Sequence, residues 1–477
     1  MVLSSFRFII FFAVIYLLLS ATNLIRKQNK KLAGKLYQWI LLIGSYLFLG
    51  YTNYKYCVYV LCLTGIVCWV VRRISRSSAA KRYMILGVAA CIAGLAVCKY
   101  GNFFVETINN WFGLSMPLLK IAAPLGVSFY TFSAISYIVD VYRREYPAND
   151  SLPETALYLV YFPKLVSGPL IGAGAFFERL RNHDGIRLKN LERGIQLFMI
   201  GLFKKIVLAD HLGVFVDDVY RAPSAFSSLS IWLAVISYAF QLYFDFSGYS
   251  DMAIGLSEIL GIRLERNFNL PYVSKNLTEF WKRWHISLSS WLQKYLYFPL
   301  GGNRKGVIRT YINLFLVMAI GGIWHGAGWT FLLWGCLHGL GLVVHKIYRK
   351  SALAAKNTGT AGKIGSCFLT FAYVSFCWIF FRASSADNAL DIIQGLFCFQ
   401  KGIVQIYSWT LFALAVYVTY LVYLVLQNRK RGTATLNIEF PVLKLSTVKG
   451  LILFFVFCGL TICMAYFGNT AFIYGKF

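Results

Sequence analysis

Long uncharged stretches recur along this chain. Phe8 to Leu18, Met84 to Val97, Ile231 to Gln241 and Leu451 to Phe467 contain no Asp, Glu, Lys or Arg. An apolar helix of about 20 residues crosses a ~30 Å hydrocarbon core. A transmembrane barrel would instead show short segments of alternating polarity. The continuous runs therefore predict an all-α, polytopic integral membrane protein with about ten to twelve transmembrane helices. The zoning suggests one membrane domain over 1–477. Residues 1–120 form N-terminal spans, 121–350 a core richer in Gly, His and acidic residues, and 351–477 C-terminal spans separated by polar stretches near 350–363 and 427–437.

Two segments depart from a simple span. From Lys275 to Tyr297, Leu277, Trp281, Trp284, Leu288, Trp291, Leu292 and Tyr295 recur at three- and four-residue steps, giving one apolar face. Asn276 and Glu279 have capping-box spacing. This predicts an interfacial or re-entrant helix with His285 at the edge of its apolar stripe, beside Trp281 and Leu292. From Thr310 to His345, 36 residues pass without a charge. One straight helix of that length would be about 54 Å long, far more than the hydrocarbon core needs. It must tilt, kink or break. Gly321, Gly322, Gly326 and Gly328 bracket His325, so the break is expected there. Non-helical backbone at that depth must be buried in protein or line a wet cavity.

Composition agrees with a membrane solvent. The 477 residues are 58% hydrophobic, against about 45–50% in soluble domains. The net charge of +28 would suggest nucleic acid in a soluble protein. Here it sits in short clusters between spans: Arg26-Lys27 with Lys30-Lys31, Arg72-Arg73 with Arg76, Lys81-Arg82, Arg143-Arg144, and Arg429-Lys430-Arg431. Such clusters mark cytoplasmic loops and attract membrane lipids, and nucleic acid is not an expected partner. Arg7 followed by an apolar stretch and the basic run from Arg26 reads as a retained first helix with its N-terminus outside. The eleven Cys are scattered, with no CxxC pair.

Of six histidines, His183 and His211 lie in or near polar segments and are expected at the surface, and His345 at a helix end. His338 reads as a packing or supporting residue. His285 and His325 remain as candidates for chemistry. A buried neutral imidazole can accept the proton a hydroxyl loses as it attacks an acyl carbon. No GxSxG elbow, HExxH or acidic metal cluster is present, so no metal site is expected. Asp245 and Asp251 read as capping or ion-pairing residues, with cation binding or proton carriage as alternatives. Phe298 to Lys305 reads as a glycine turn, with a phosphate contact by Arg304 and Lys305 as the alternative.

Four motifs then carry a resemblance. Tyr161-Phe-Pro-Lys-Leu-Val-Ser-Gly-Pro169, Phe244-Asp-Phe-Ser-Gly-Tyr-Ser-Asp251, Phe280-Trp-Lys-Arg-Trp-His-Ile-Ser-Leu-Ser289 and Gly322-Ile-Trp-His-Gly-Ala327 resemble the membrane-bound O-acyltransferase (MBOAT) family, nearest its bacterial alginate O-acetylase branch. The resemblance runs from about Pro124 to the C-terminus. It implies helices around a central tunnel, with the family's two functional histidines at His325 and His285. It also implies a thioester donor, acetyl-CoA in this branch, no bound cofactor, and an extracytoplasmic lipase-like (SGNH type) partner that passes the acyl group to a polysaccharide. The implied location is the cytoplasmic (inner) membrane. On this reading His325 is the base or main transfer residue, His285 assists, and Trp281, Trp284 and Trp324 line the tunnel. Ser133 stands where this branch is expected to carry Gln, and the tail from Phe472 to Phe477 differs from the usual ending. D-alanyl transfer from a carrier protein to teichoic acid is the neighbouring alternative. A transporter or flippase without acyl chemistry is the alternative of another class, since broken helices suit transporters too.

Overall fold

The computed structural model describes residues 3–119, 123–183, 185–351, 359–431, 442–468 and 472–473. The polar stretches 350–363 and 427–437 and the tail from 472 thus lie partly outside the described residues. The chain is helical; among the described residues the one recorded bridge of strand type joins Phe226 and Ile403. Nine helices among the described residues are long and apolar enough to cross a membrane: Phe6–Arg26, Lys30–Gly50, Tyr54–Arg76, Ala80–Phe112, Ser228–Ile259, Val307–His325, Trp329–Tyr348, Thr360–Arg382 and Ser408–Lys430. Val448–Cys463 is a shorter apolar helix of 16 residues. Against an expected ten to twelve spans, these make a multi-pass, all-α membrane protein. Two compact units are distinguishable: Met1–Met199 with Tyr249–Glu265, and Ile200–Gly248 with Arg266–Phe477.

In the first unit, polar side chains reset the chain between spans. Asn29 accepts from the Leu32 amide and Asn53 from the Lys55 amide, so each starts a new helix after a link of three residues. Phe6, Leu17 and Leu24 point outward, as lipid-facing residues do when the solvent is hydrocarbon. Inside, small residues let backbones meet. A side chain at Gly194 would sit 2.5 Å from the Gly255 carbonyl oxygen, the close approach typical of membrane helix crossings. Lys164, within the first motif, is buried; its Nζ stands 4.1 Å over the Tyr158 ring and 3.4 Å from Ser133 Oγ. Ser133 thus occupies the position facing this amine. His183 is not at the surface as expected. Its ring stacks on Tyr37 at 3.7 Å, and Arg26 donates to its carbonyl at 2.7 Å. The polar segment around it folds back onto the first two helices.

The second unit holds the other three motifs or most of each. The uncharged run predicted to break does so at Gly326–Gly328, between the helices Val307–His325 and Trp329–Tyr348. At 19 and 20 residues each, they match a bilayer core at ~1.5 Å per residue. They pack as a tight hairpin because glycines face each other. A Cβ at Gly335 would lie 2.4 Å from Met318 O and 3.0 Å from Gly322 Cα. Asp245 is in an ion network rather than at a helix start. Lys205 Nζ lies 2.6 Å from Asp245 Oδ1 and 2.7 Å from Asp210 Oδ1, all three groups being buried. The other Asp245 oxygen accepts the Ile473 amide at 2.9 Å. A buried ion group persists only when its remaining hydrogen-bonding capacity is met in this way. His211, half-buried rather than free at the surface, stacks on Trp409 at 3.7 Å.

Candidate active site

The segment predicted as one amphipathic helix is two. The first helix, Leu277–Arg283, is capped as expected by Asn276, which accepts from the Glu279 amide at 2.9 Å. It ends at Trp284. His285 then adopts a left-handed backbone, with φ 43° and ψ 55°, and the second helix runs Ile286–Leu292. The apolar periodicity carries through the break, so the pattern alone reads as continuous. A break at a non-glycine residue in this region costs conformational energy and persists only where surroundings hold it. Here the holding group is Asn267. Its backbone oxygen accepts the Ile286 amide at 2.9 Å. Its side-chain oxygen accepts the Ser287 amide at 3.1 Å and the Ser287 hydroxyl at 2.9 Å. A distant asparagine thus satisfies the orphan donors of a new helix. No feature of the sequence pointed to it.

The same oxygen faces His285 Nδ1 at 3.2 Å. Because the Ser287 amide can only donate, the atom facing it is fixed as the asparagine oxygen. Nδ1 therefore carries the proton, and Nε2 keeps its lone pair. His285 is fully buried. Burial pushes its imidazole pKa down to about 3, because a charged ring would lose its hydration. His285 is thus a neutral, oriented imidazole. Phe246 meets its ring edge-on at 4.7 Å.

His325 is the last residue of its helix and is buried at 3% exposure. Trp324, Trp334 and Phe381 surround it at ring-centre distances of 4.9, 5.0 and 5.3 Å. Trp324 is also 6.3 Å from His285. The two histidines singled out from sequence therefore share one aromatic neighbour. Trp284 is buried among Phe268, Phe280 and Trp378.

A cavity of about 430 Å³ lies beside this cluster. Trp281, Leu292, Val317, Met318 and Leu342 form apolar walls, and Lys282, His345, Lys346 and Arg349 supply basic groups. His345 Nδ1 is 3.0 Å from Thr278 Oγ1. Of the predicted lining residues, Trp281 borders this cavity; Trp284 and Trp324 do not. Trp281 connects it to the histidines through ring contacts: 5.8 Å to Trp334, which is 5.0 Å from His325. Arg304 is exposed on the glycine turn, with its amide bonded to the Gly301 carbonyl at 3.0 Å. Its neighbour Asn303 reaches the cavity. The turn needs glycine, since Gly301 and Gly302 have φ of 107° and 55°. Asn313 fastens it by donating to the Leu300 and Gly302 carbonyls at 3.3 and 3.1 Å. Among the described residues, no group of three His, Cys, Asp or Glu side chains gathers as a metal site.

Such an arrangement offers two buried histidines in an aromatic setting and an apolar slot with a basic mouth. It suits a proton transfer coupled to reaction of an elongated, anionic-headed substrate. The chain is similar to several known proteins. The chain is 39% identical to a "probable alginate O-acetylase" of Pseudomonas aeruginosa over 77% of its own length and 71% of the relative's. It is 36% identical to a peptidoglycan O-acetyltransferase of Helicobacter pylori, over 75% and 73% of the two chains. It is 29% identical to a teichoic acid D-alanyltransferase of Streptococcus thermophilus, over 55% and 69%. The sequence profile of the membrane-bound O-acyltransferase family matches residues 146–385. With the family profile covering half of the chain and relatives matching most of it, this protein belongs to the membrane-bound O-acyltransferase family and is an O-acyltransferase.

Proposed function

We propose that the protein takes an acetyl group from cytosolic acetyl-CoA and passes it through the inner membrane to hydroxyls of an extracytoplasmic polysaccharide, by way of a lipase-like partner. The observation that carries this reading is the cavity whose Trp281 wall leads by ring contacts to His325 while its opening bears Lys282, Lys346 and Arg349. A coenzyme thioester has the matching shape: a phosphorylated head and a slim, weakly polar arm. The relatives named for alginate and peptidoglycan O-acetylation support acetyl over D-alanyl.

In the proposed reaction His325 accepts the proton of the attacking hydroxyl. The hydroxyl oxygen bonds to the thioester carbonyl carbon, the C–S bond breaks, and the proton passes to the departing thiolate. His285, neutral and fixed by Asn267, orients the thioester or steadies developing charge. Atoms balance without a redox partner or bound cofactor. A positioned base contributes about 10²–10⁴ in rate, so His325→Ala should lower acetyl transfer by that order. The assay is transfer of labelled acetyl from acetyl-CoA by protein in nanodiscs. Full activity in a folded His325→Ala protein would remove His325 from the mechanism. Faster turnover with a D-alanyl carrier thioester than with acetyl-CoA would favour the aminoacyl reading.

A further inference from the structure

His338 lies on the helix Trp329–Tyr348, two turns before His345, and is fully buried. Aromatic rings enclose it: Trp334 at 4.9 Å, Trp281 at 5.0 Å, Trp378 at 6.0 Å, Phe280 at 6.2 Å and Tyr373 at 6.4 Å. Among the described residues no protein group lies within hydrogen-bond reach of either of its ring nitrogens. The same holds for the indole N–H groups of Trp281, Trp334 and Trp378. The Tyr373 hydroxyl is turned away to the Leu337 carbonyl, 2.7 Å distant.

Packing alone does not account for an imidazole here. A phenyl ring would make the same ring contacts without desolvating two nitrogens, and buried polar atoms in folded proteins have partners with few exceptions. Of these five orphaned atoms, four are donors and one, the second imidazole nitrogen, is an acceptor. Three indole N–H groups can only donate, and a neutral imidazole adds one more donor. A group of buried donors without acceptors is complementary to an oxygen that brings lone pairs with it. Trp281 borders the basic-mouthed cavity, and Trp334 touches both His338 and His325. The donors therefore lie along the route from cavity to candidate base.

We propose that His338, with the indole N–H groups of Trp281 and Trp334, binds the carbonyl oxygen of the acyl thioester and presents its carbonyl carbon to His325. This rests on the acetyl-CoA reading above and adds a substrate-binding residue to it. Donors fixed in a dry site favour the charge that grows on that oxygen as the hydroxyl adds, because no solvent must reorganise. His338 takes no proton from the acceptor in this role. The hydroxyl oxygen still bonds to the carbonyl carbon as the C–S bond breaks, and the proton still passes through His325 to the thiolate.

Two measurements test it. First, thioester cleavage is followed as free CoA thiol released from acetyl-CoA by the full chain in nanodiscs. His338→Phe keeps the aromatic packing and removes both nitrogens. It should lower kcat by about 10²-fold, the loss typical of one carbonyl-oxygen donor, while its melting temperature stays at or above that of wild type. His338→Gln restores a donor and should regain part of the loss. A residue that only packs would give the reverse, with Phe tolerated and Gln not. Second, the carbonyl stretch of ¹³C-acetyl-CoA is read on the His325→Ala protein, which holds the thioester intact. Binding to the donors moves this band to lower wavenumber, and adding His338→Phe moves it back.

Wild-type turnover in a folded His338→Phe protein overturns the proposal. So does a bound carbonyl band at its position in apolar solvent, and that reading applies even where the His338 variants fail to fold. If wild-type protein neither binds nor cleaves acetyl-CoA, the donor reading itself fails and takes this proposal with it. Cleavage that depends on His325 but ignores His338 overturns the role of His338 alone.

Discussion

Asn267→Ala should damage the site without touching a histidine. The substitution removes an oxygen that accepts from the Ser287 amide, the Ser287 hydroxyl and His285 Nδ1, at 3.1, 2.9 and 3.2 Å. Losing a helix-start acceptor costs about 0.5–2 kcal/mol, and leaving a further buried donor unsatisfied costs about 1–3 kcal/mol. The left-handed turn at His285 loses these side-chain bonds but keeps the bond of the Ile286 amide to the Asn267 backbone carbonyl. A destabilisation of roughly 2–5 kcal/mol follows, in line with the upper range of single substitutions. Activity should fall further than stability predicts, because His285 loses the bond that fixes its tautomer and ring plane. Asn267→Asp separates the two effects. It keeps an oxygen for Ser287, so much of the stability returns. It also places a carboxylate against His285, which favours the charged ring and raises its pKa from about 3. The assay pairs thermal unfolding in detergent with acetyl transfer between pH 5 and 8. This role of Asn267 is refuted if Asn267→Ala melts and turns over like wild type. It is equally refuted if Asn267→Asp introduces no new pH dependence.

Three further outcomes are expected. His285 has a folded pKa near 3, against about 6.5 when unfolded. The unfolded chain therefore binds the extra proton between those values, so stability falls as pH drops from about 6.5 toward 3. His285→Gln should flatten that part of the unfolding curve, and an unchanged curve would show that His285 is not the group responsible. Reversing charge at Lys346 and Arg349 on the cavity mouth should raise KM for acetyl-CoA by about 10-fold at low salt, with little change in kcat and a weaker dependence on ionic strength; an unaltered KM would place the coenzyme head elsewhere. Gly335→Ala puts a methyl 2.4 Å from the Met318 carbonyl oxygen, and backbone cannot give way cheaply. A loss of about 1–3 kcal/mol is expected in thermal unfolding, and a melting temperature equal to wild type would contradict the backbone contact.

How legible each part was depended on whether its cause is local. The spans were legible because lipid imposes length and apolarity on every crossing segment, as in Phe6–Arg26 and Thr360–Arg382. The break at His325 was legible for a related reason: 36 uncharged residues exceed one crossing, and glycines mark where the excess is spent. The break at His285 was not. Its segment keeps helical periodicity straight through, and the force that breaks it comes from Asn267, 18 residues away. Periodicity records which face is buried, and both short helices bury the same one. From sequence, His338 reads as packing or support for a similar reason. Its neighbours Trp281 and Trp378 come from other helices, so the sequence shows a histidine in an apolar run and nothing of the donors collected around it.

The two kinds of site residue therefore fail differently under substitution. His325 ends its helix at the break Gly326–Gly328, where the Phe331 ring fills the space a side chain at Gly326 would take, so the geometry at that position does not depend on the imidazole itself. Its loss should remove chemistry and leave the hairpin standing. His285 has its backbone held in an unfavourable region by Asn267, so its placement and the local fold are one feature. Changing either partner there shifts structure and reactivity together. That coupling explains why an unremarked asparagine belongs with the histidines, and why assays of this site need stability and turnover measured on the same preparation.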